Sequence, residues 1–256
     1  MKKHLIVNNS YKSYKISAVI PCRINSTRLL AKPLQPIGKY SILELLIEQL
    51  KKSKMISDIV LAISNNFGNQ LFIELAKKCN VKYVLGNEKD VLGRIIKGGE
   101  KVNSDIIFRI TSENPYIFWE GIDSLIKSHI KERYDFSYFK GLPLGAGLEL
   151  INMKSLKLAH KKGSKKHKGE LSTLYFYQNF KQFKINQICP KEFLKRPEIR
   201  LTVDTPQDLL VARIIHENLG RGKQPIPLEK IVKFLDKHPE IKKINSDISI
   251  KYKRYT

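Results

Sequence analysis

A loop rich in basic and hydroxyl side chains follows the first apolar segment of the chain. Residues 20–34 read IPCRINSTRLLAKPL, with Arg23 and Arg28 five positions apart, Ser26 between them and Lys32 just beyond. Arginine offers a planar fork of donors and lysine a compact, mobile charge, and both suit phosphate oxygens. A solvated basic loop is the alternative, but this loop leaves a buried strand. We therefore predict that it surrounds a triphosphate.

The elements that must position this loop follow an alternating pattern. Short apolar runs predict strands, and apolar residues at helical spacing predict the helices between them. This rhythm predicts an α/β, Rossmann-like fold with a mostly parallel sheet and helices on both faces. Right-handed crossovers then bring the loops after the strands to one edge, where ligands bind. The predicted strands are 16–21, 59–64, 81–85 and 106–110, and the predicted helices are 42–50, 70–78 and 91–102.

The pattern loosens after about residue 135. A Gly/Pro-rich loop, GLPLGAG at 141–147, separates two short predicted strands, and Asp204 is the predicted N-cap of a helix that begins with Thr205 and Pro206. We expect the tail from residue 242 to be loosely attached. The further predicted strands are 135–139, 148–151 and 183–188, and the further helices are 153–162, 169–178, 205–219 and 227–237.

Composition limits the classes of protein to consider. A chain of 256 residues suits one domain with a small appended subdomain. Cys22, Cys79 and Cys189 form no CxxC pair, which argues against a disulfide framework and a zinc site. No apolar run approaches the roughly 18 residues that span a bilayer, and residues 1–15 lack the apolar core of a signal peptide. We therefore predict a cytoplasmic protein without a membrane span.

The charge is strongly positive, with 47 Lys and Arg against 24 Asp and Glu, a formal +23. Such an excess favours a polyanionic partner, namely nucleic acid, an anionic membrane or phosphate-rich substrates. A lysine-rich composition without binding meaning is equally open. No helix-turn-helix, zinc, KH or RRM signature is present, so we predict no specific nucleic-acid partner. A basic run at 161–168 is expected to be a mobile segment between two helices that attracts anionic substrate.

The residues of four blocks carry a family resemblance. The segment IPCRINSTRLLAKPL resembles the nucleotide-binding signature of the CMP-sugar synthetases, which include the CMP-Kdo and acylneuraminate cytidylyltransferases and the SpsF-type spore-coat polysaccharide proteins. Three further blocks follow in the same order, GNEKDVLGR at 86–94, RITSENP at 109–115 and RLTVDTPQDL at 200–209. They are similar to GxxxDVLGR, RITGDCP and RLTVDTPED of the SpsF branch.

The resemblance implies a fold and an activity. It implies a GT-A-like nucleotide-diphospho-sugar transferase with a smaller acceptor and dimerisation subdomain, working as a homodimer. The implied reaction transfers CMP from CTP to an acidic sugar (Kdo, a nonulosonic acid or a related acid), releases pyrophosphate and serves surface-glycan synthesis. The implied organisation is an extension at 1–15, a domain at 16–240 with a nucleotide-binding half (16–135) and an acceptor-binding half (136–240), and a tail at 241–256.

It also implies roles for individual residues. Backbone groups at 20–22 would line the cytosine, cations of the first loop would hold the phosphates, and two carboxylates would bind Mg²⁺. Basic residues of the second half would meet the acceptor's carboxylate. The implied nucleotide residues are Ile20, Pro21, Cys22, Arg23, Ser26, Arg28, Lys32, Asp90, Arg94 and Thr111. Of these Arg23, Arg28 and Lys32 would be catalytic; the metal ligands would be Glu113 and Asp204, and the acceptor residues Glu149 and Glu170.

The sequence departs from the family pattern mainly on the acceptor side. Glu113 stands where the branch usually has aspartate, which lengthens this side chain by one methylene. Gly147 replaces an aspartate of the GLDVEVF block, and the EHVTP block reads ELSTL at 170–174. The departures leave two alternatives to an active cytidylyltransferase. One is a family member that binds nucleotide without turnover, and the other, suggested by charge alone, is a nucleic-acid-binding protein.

Overall fold

The computed structural model describes residues 14–248, so most of the predicted extension and the end of the predicted tail lie outside the described residues. Strands β1–β9 and helices α1–α10 are numbered in chain order. The strands are β1 (Ile16–Cys22), β2 (Pro36–Ile37), β3 (Tyr40–Ser41), β4 (Asp58–Ser64), β5 (Lys82–Gly86), β6 (Ile106–Arg109), β7 (Phe136–Phe139), β8 (Glu149–Asn152) and β9 (Ile185–Ile188). The helices are α1 (Ile42–Leu50), α2 (Gln70–Lys78), α3 (Val91–Lys101), α4 (Ile122–Lys131), α5 (Met153–Lys162), α6 (Lys165–Lys168), α7 (Leu174–Gln178), α8 (Pro206–Leu219), α9 (Leu228–Lys237) and α10 (Pro239–Lys243).

Seven of the described strands form one sheet in the order β5-β4-β1-β6-β8-β7-β9. β4, β5 and β6 continue the parallel half around β1, and β9 runs parallel to β7. β8 is antiparallel to both of its neighbours, β6 and β7. The predicted mostly parallel sheet is confirmed. Among the described helices, none is long and apolar enough to cross a membrane.

Helices cover both faces of the sheet, as predicted. Alternate residues of a strand point to opposite faces, so Ile16, Ala18 and Ile20 enter one core while Val19 enters the other. Apolar residues of α1, α2, α4, α8 and α9 build the first core, and those of α3, α5 and α7 build the second. The sheet therefore holds its loops between two packed layers.

Two expectations about helices after residue 160 are wrong. The predicted helix 169–178 is present only as α7, which begins after Thr173. The Thr173 hydroxyl donates to the buried Glu149 at 3.2 Å. The basic run is largely helical and not an open loop. Its first two lysines end α5, and its second part forms α6, where Ser164 and His167 make a capping box.

The start of α8 and the tail also differ from expectation. Thr205, and not Asp204, is the N-cap of α8: its hydroxyl accepts from the Asp208 backbone, and the Asp208 carboxylate accepts from the Thr205 backbone. The tail is packed as far as it is described. Asn245 is buried and donates to the Arg200 carbonyl at 3.2 Å and to Asp208 Oδ1 at 2.9 Å.

Candidate active site

A cleft of about 630 Å³ opens at the carboxyl ends of β1 and β6. The chain passes from β1 to β4 and β5 on one side and then returns to place β6 on the other side of β1. Such a reversal leaves a crevice between the two central strands, where open α/β sheets bind ligands. The loop after β1, the segment after β6, the β7–β8 connection and the segment before α8 surround this crevice.

The structure brings most of the predicted site residues to this one cleft, although the sequence scatters them from 21 to 204. Those that line it are Pro21, Arg23, Ser26, Arg28, Lys32, Arg94, Thr111, Glu113, Glu149, Glu170 and Asp204. Three predicted nucleotide residues do not line it, namely Ile20, Cys22 and Asp90.

These three residues support the site from outside it. Ile20 and Cys22 are fully buried in the core beneath the cleft, where burial raises the pKa of the Cys22 thiol. This cysteine is therefore a protonated core residue and no nucleophile, as its place in the strand suggests. Asp90 is the N-cap of α3, accepting from the Gly93 backbone at 2.8 Å and from His160 Nε2 at 2.8 Å. Its carboxylate thus fixes the helix that carries Arg94.

The first loop is held in place by its own backbone and by a neighbouring turn. The Ala31 backbone donates to the Ile24 carbonyl at 3.2 Å, and Asn69 Oδ1 accepts from the Ile24 backbone at 2.8 Å. Ala31 has a left-handed φ of 48°, and a short 3₁₀ turn, Lys32–Leu34, follows it. This bend brings Lys32 back over the cleft.

Three cations of the cleft converge on one carboxylate. Lys32 Nζ lies 2.6 Å and Arg28 Nη2 3.0 Å from Asp204 Oδ1, while Arg200 Nη2 lies 2.9 Å from Asp204 Oδ2. Burial would raise the pKa of Asp204, but the hydrogen bond and charge of Lys32, followed by the charges of Arg28 and Arg200, lower it. The cations thus form a pocket for negatively charged oxygen.

Glu113 lies beside this cluster. The Val203 backbone donates to the Glu113 carbonyl at 3.0 Å, which places the segment after β6 next to the residue that precedes Asp204. No group of three or more potential metal ligands occurs within residues 14–248. Magnesium is typically held by one or two carboxylates together with substrate phosphates. Glu113 and Asp204 are a donor set of that kind, so these residues fit a Mg²⁺ ion that shares its coordination with a nucleotide.

Two further ion pairs join the halves of the cleft. Arg109 Nη1 lies 2.8 Å from Glu149 Oε2, and both side chains are buried. The Arg23 guanidinium is paired with Glu170, and both of these side chains are substantially exposed. The two predicted acceptor residues therefore hold the second half of the chain against arginines of the first half.

Arg94 lies at the base of the cleft with an unused donor. Its Nη1 donates to the carbonyls of Asn87 and Glu88 at 3.2 and 3.3 Å, but its buried Nε has no partner among the described residues. Burial lowers the pKa of Arg94. A buried donor without a partner costs free energy that a bound ligand oxygen could recover.

Comparison with known proteins assigns a family to this arrangement. A cytidylyltransferase family model matches residues 17–248. The chain belongs to the cytidylyltransferase family. Members of this family are nucleotidyltransferases, so the predicted class of enzyme is confirmed.

This cytidylyltransferase has relatives of similar length. An uncharacterized protein of Methanocaldococcus jannaschii is 36% identical over 234 residues, which cover 91% of this chain and 96% of that protein. The spore coat polysaccharide biosynthesis protein SpsF of Bacillus subtilis is 26% identical over 227 residues, covering 87% of this chain and 94% of SpsF.

Solved structures share its fold. A cytidylyltransferase from Leptospira borgpetersenii superposes with a TM-score of 0.84 at 22% identity, covering 93% of this chain and all of that one. A CMP:2-keto-3-deoxy-manno-octonic acid synthetase in complex with CTP gives a TM-score of 0.61 at 14% identity, covering 80% of this chain and 99% of that one.

The cleft of this cytidylyltransferase also contains residues that the sequence reasoning did not assign. Asn25, Arg109, Asn114 and Arg200 line it, as does Gly147 with open space around its Cα. Each of them stands inside a stretch already marked by its resemblance to the family. The position of these residues within the family-like stretches was therefore the signal in the sequence that could have assigned them to the cleft.

Proposed function

We propose that the protein transfers CMP from CTP to an acidic sugar and releases pyrophosphate, in the synthesis of precursors for surface glycans. The observation that carries this proposal is the convergence of Lys32, Arg28 and Arg200 on Asp204, with Glu113 alongside. It combines cations for a polyphosphate with carboxylates for a divalent metal, in the cleft of a cytidylyltransferase family member.

The cations of the first loop would bind the triphosphate. Phosphate oxygens can replace Asp204 as the partners of Lys32 and Arg28, since both kinds of group accept charge-assisted hydrogen bonds. Arg23 would add a further donor once Glu170 releases it. The same side chains stabilise the charge that develops on departing pyrophosphate, and such positioned charge contributes most of the catalysis in phosphoryl transfer.

Glu113 and Asp204 would hold the Mg²⁺ ion. When bound, the metal neutralises phosphate charge and polarises the phosphorus that is attacked. Asp204 must leave its present cations to serve as a ligand, and the nucleotide's phosphates supply the anions that take its place. We infer that the nucleotide and the metal enter this site together.

The acceptor would occupy the side of the cleft formed by the β7–β8 connection. An acceptor hydroxyl attacks the α-phosphorus, the new oxygen–phosphorus bond forms as the bond to the β-phosphate oxygen breaks, and the hydroxyl proton is lost to solvent. Two similar proteins support CTP and an acid acceptor, namely the spore coat polysaccharide biosynthesis protein SpsF and the CMP:2-keto-3-deoxy-manno-octonic acid synthetase in complex with CTP.

A homodimer in the cytoplasm completes the proposal. Cys22, Cys79 and Cys189 are all free thiols, which fits a reducing compartment. Sedimentation of the purified protein gives its oligomeric state directly.

The decisive experiment measures pyrophosphate release from CTP and Mg²⁺ with a panel of acids that includes 3-deoxy-manno-octulosonate and N-acetylneuraminate. We expect release with at least one acid, a strong preference for CTP over UTP and ATP, and loss of release in Lys32→Ala. Lys233→Ala is the matched control, because Lys233 pairs with Glu229 on the surface. Tight CTP binding without release from any acid would contradict the proposal and favour a nucleotide-binding protein without turnover.

A further inference from the structure

The second half of the chain contributes few positive charges to the cleft. Among described residues from 136 onward, Arg200 is the one cation that lines the cleft, and none of the lysines of the basic run 161–168 does so. The positive excess of this half therefore lies elsewhere on the molecule, contrary to the expectation that several basic residues would meet the acceptor. The carboxylates that this half contributes to the cleft are Glu149, Glu170, Glu198 and Asp204.

Arg200 is held rigidly along one edge of its guanidinium. Nε lies 2.7 Å from Asp208 Oδ1, and Nη2 lies 3.1 Å from Asp208 Oδ2. The Asp208 side chain is fully buried and is fixed in turn by Asn245 and by the first turn of α8. A guanidinium held in this way is oriented before any ligand arrives, so little side-chain entropy is lost on binding.

The other end of the guanidinium is available to the cleft. Nη1 donates no hydrogen bond to any residue between 14 and 248 and is not enclosed by protein. Arg200 is only 7% exposed and lines the cleft, so the cleft is where this nitrogen can be reached. Beside it, Nη2 makes the contact with Asp204 that the proposed function requires Asp204 to give up.

The surroundings of Arg200 suit a sugar acid. Gly145, with φ of 98°, allows the β7–β8 connection to approach so closely that a Cβ there would lie 2.4 Å from the Thr202 backbone nitrogen. Leu142 and Leu144 of that connection form an apolar wall of the cleft. A flat cation beside an apolar wall and several carboxylates can bind one carboxylate and many hydroxyls of the same molecule.

We propose that Arg200 binds the carboxylate of the acceptor through its Nη1–Nη2 edge. The proposal rests on the proposed function. A guanidinium edge matches the two oxygens of a carboxylate.

The test compares each acid with its primary carboxamide, which has nearly the same shape and no charge. We expect the wild-type protein to prefer the acid by about 10- to 100-fold in kcat/KM, the size of one charge-assisted interaction. In Arg200→Gln with Asp208→Asn, which leaves no buried charge unpaired, the preference should fall to about 1. The ratio does not depend on the fraction of folded protein or on CTP affinity.

A matched control is available in the same half of the chain. Arg196 and Asp236 form a two-pronged pair with both distances 2.6 Å, but neither residue lines the cleft. Arg196→Gln with Asp236→Asn should keep the wild-type preference. If the double variant at the site fails to fold, Arg200→Gln alone is the second variant, and its preference should likewise fall to about 1.

Two results would overturn the assignment. One is an acid preference in the Arg200 variants equal to that of the wild-type protein, which would leave Arg200 with a purely structural role. The other is equal calorimetric binding of acid and carboxamide to the wild-type protein in the presence of Mg²⁺ and a CTP analogue whose α–β bridging oxygen is replaced by a methylene group. Failure of the proposed function would give a different result, namely no pyrophosphate release with any acceptor. In that case the calorimetric comparison of acid and carboxamide still tests whether Arg200 binds a carboxylate.

Discussion

Replacing Asp204 with asparagine should destabilise the fold and at the same time tighten the binding of metal-free pyrophosphate. Were Asp204 the helix cap, asparagine would serve equally well. Thr205 is the cap, however, and Asp204 instead neutralises Lys32, Arg28 and Arg200. Asparagine leaves these cations facing one another, and it frees the two loop cations for another anion.

The structure sets the size of both effects. The side chains of Asp204 and Lys32 are 19% and 14% exposed, so their contact is poorly screened by water, whereas Arg28, at 39%, contributes less. Removing one partner of a fully buried ion pair lowers the free energy of unfolding by about 3–5 kcal/mol. Because this pair is partly exposed, we expect Asp204→Asn to lower it by about 2–4 kcal/mol. Releasing the loop cations should tighten pyrophosphate binding by about 10- to 100-fold, or roughly 1.4–2.8 kcal/mol.

Two measurements on one variant check this reasoning. Urea unfolding gives the loss of stability, and calorimetry with pyrophosphate in EDTA gives the gain in affinity, while Mg²⁺-dependent turnover should collapse. Asp236→Asn is the control, because it removes a carboxylate from Arg196 outside the cleft. Pyrophosphate binding that is unchanged or weaker in Asp204→Asn would refute the idea that Asp204 occupies the place of a phosphate.

Variants at four other positions are informative. Lys32→Ala should weaken CTP binding by about 10- to 100-fold in calorimetry, as expected for one charged hydrogen bond, and unchanged affinity would remove Lys32 from the phosphate site. Glu113→Asp should keep Mg²⁺-dependent turnover while Glu113→Gln should abolish it; an active Gln variant would exclude the metal role. Gly147→Ala should raise KM for the acceptor but leave CTP affinity intact, because a Cβ there meets only open cleft; an unchanged KM would place the acceptor elsewhere. Burial lowers the pKa of His129 to about 4, whereas the pKa of histidine in the unfolded chain is about 6.5. Between these pH values the unfolded chain binds one proton more than the folded protein, so the free energy of unfolding, measured with urea, should fall by about 2 kcal/mol from pH 7 to pH 5. His129→Gln should abolish that part of the fall.

The central half of the sheet could be predicted from the sequence because its strands are buried on both faces. The runs at 16–21 and 59–64 are apolar except for Ser17 and Ser64, and the structure has β1 and β4 there. No bounds were predicted for helix α4, although Ile122, Leu125 and Ile126 have helical spacing and are buried. The antiparallel β8 follows from pairing with β6 and β7, which lie far from each other along the chain, and no local pattern encodes such pairing.

The chemistry of the site divides in the same way. The first loop and the later blocks mark the candidate phosphate-binding cations and the candidate metal ligands by residue type and order, because those properties are local. The partners of these side chains are not local: Asp204 meets Lys32 across 172 positions, and Arg23 meets Glu170 across 147. The sequence by itself thus determined the family, the parallel core and the set of candidate residues. Only the tertiary structure decided that Asp204 pairs with the cations of the first loop, that Asp90 caps α3 without lining the cleft, and that Arg200 is the cation that the described part of the second half brings to the cleft. Each of these depends on which segments the folded sheet brings together.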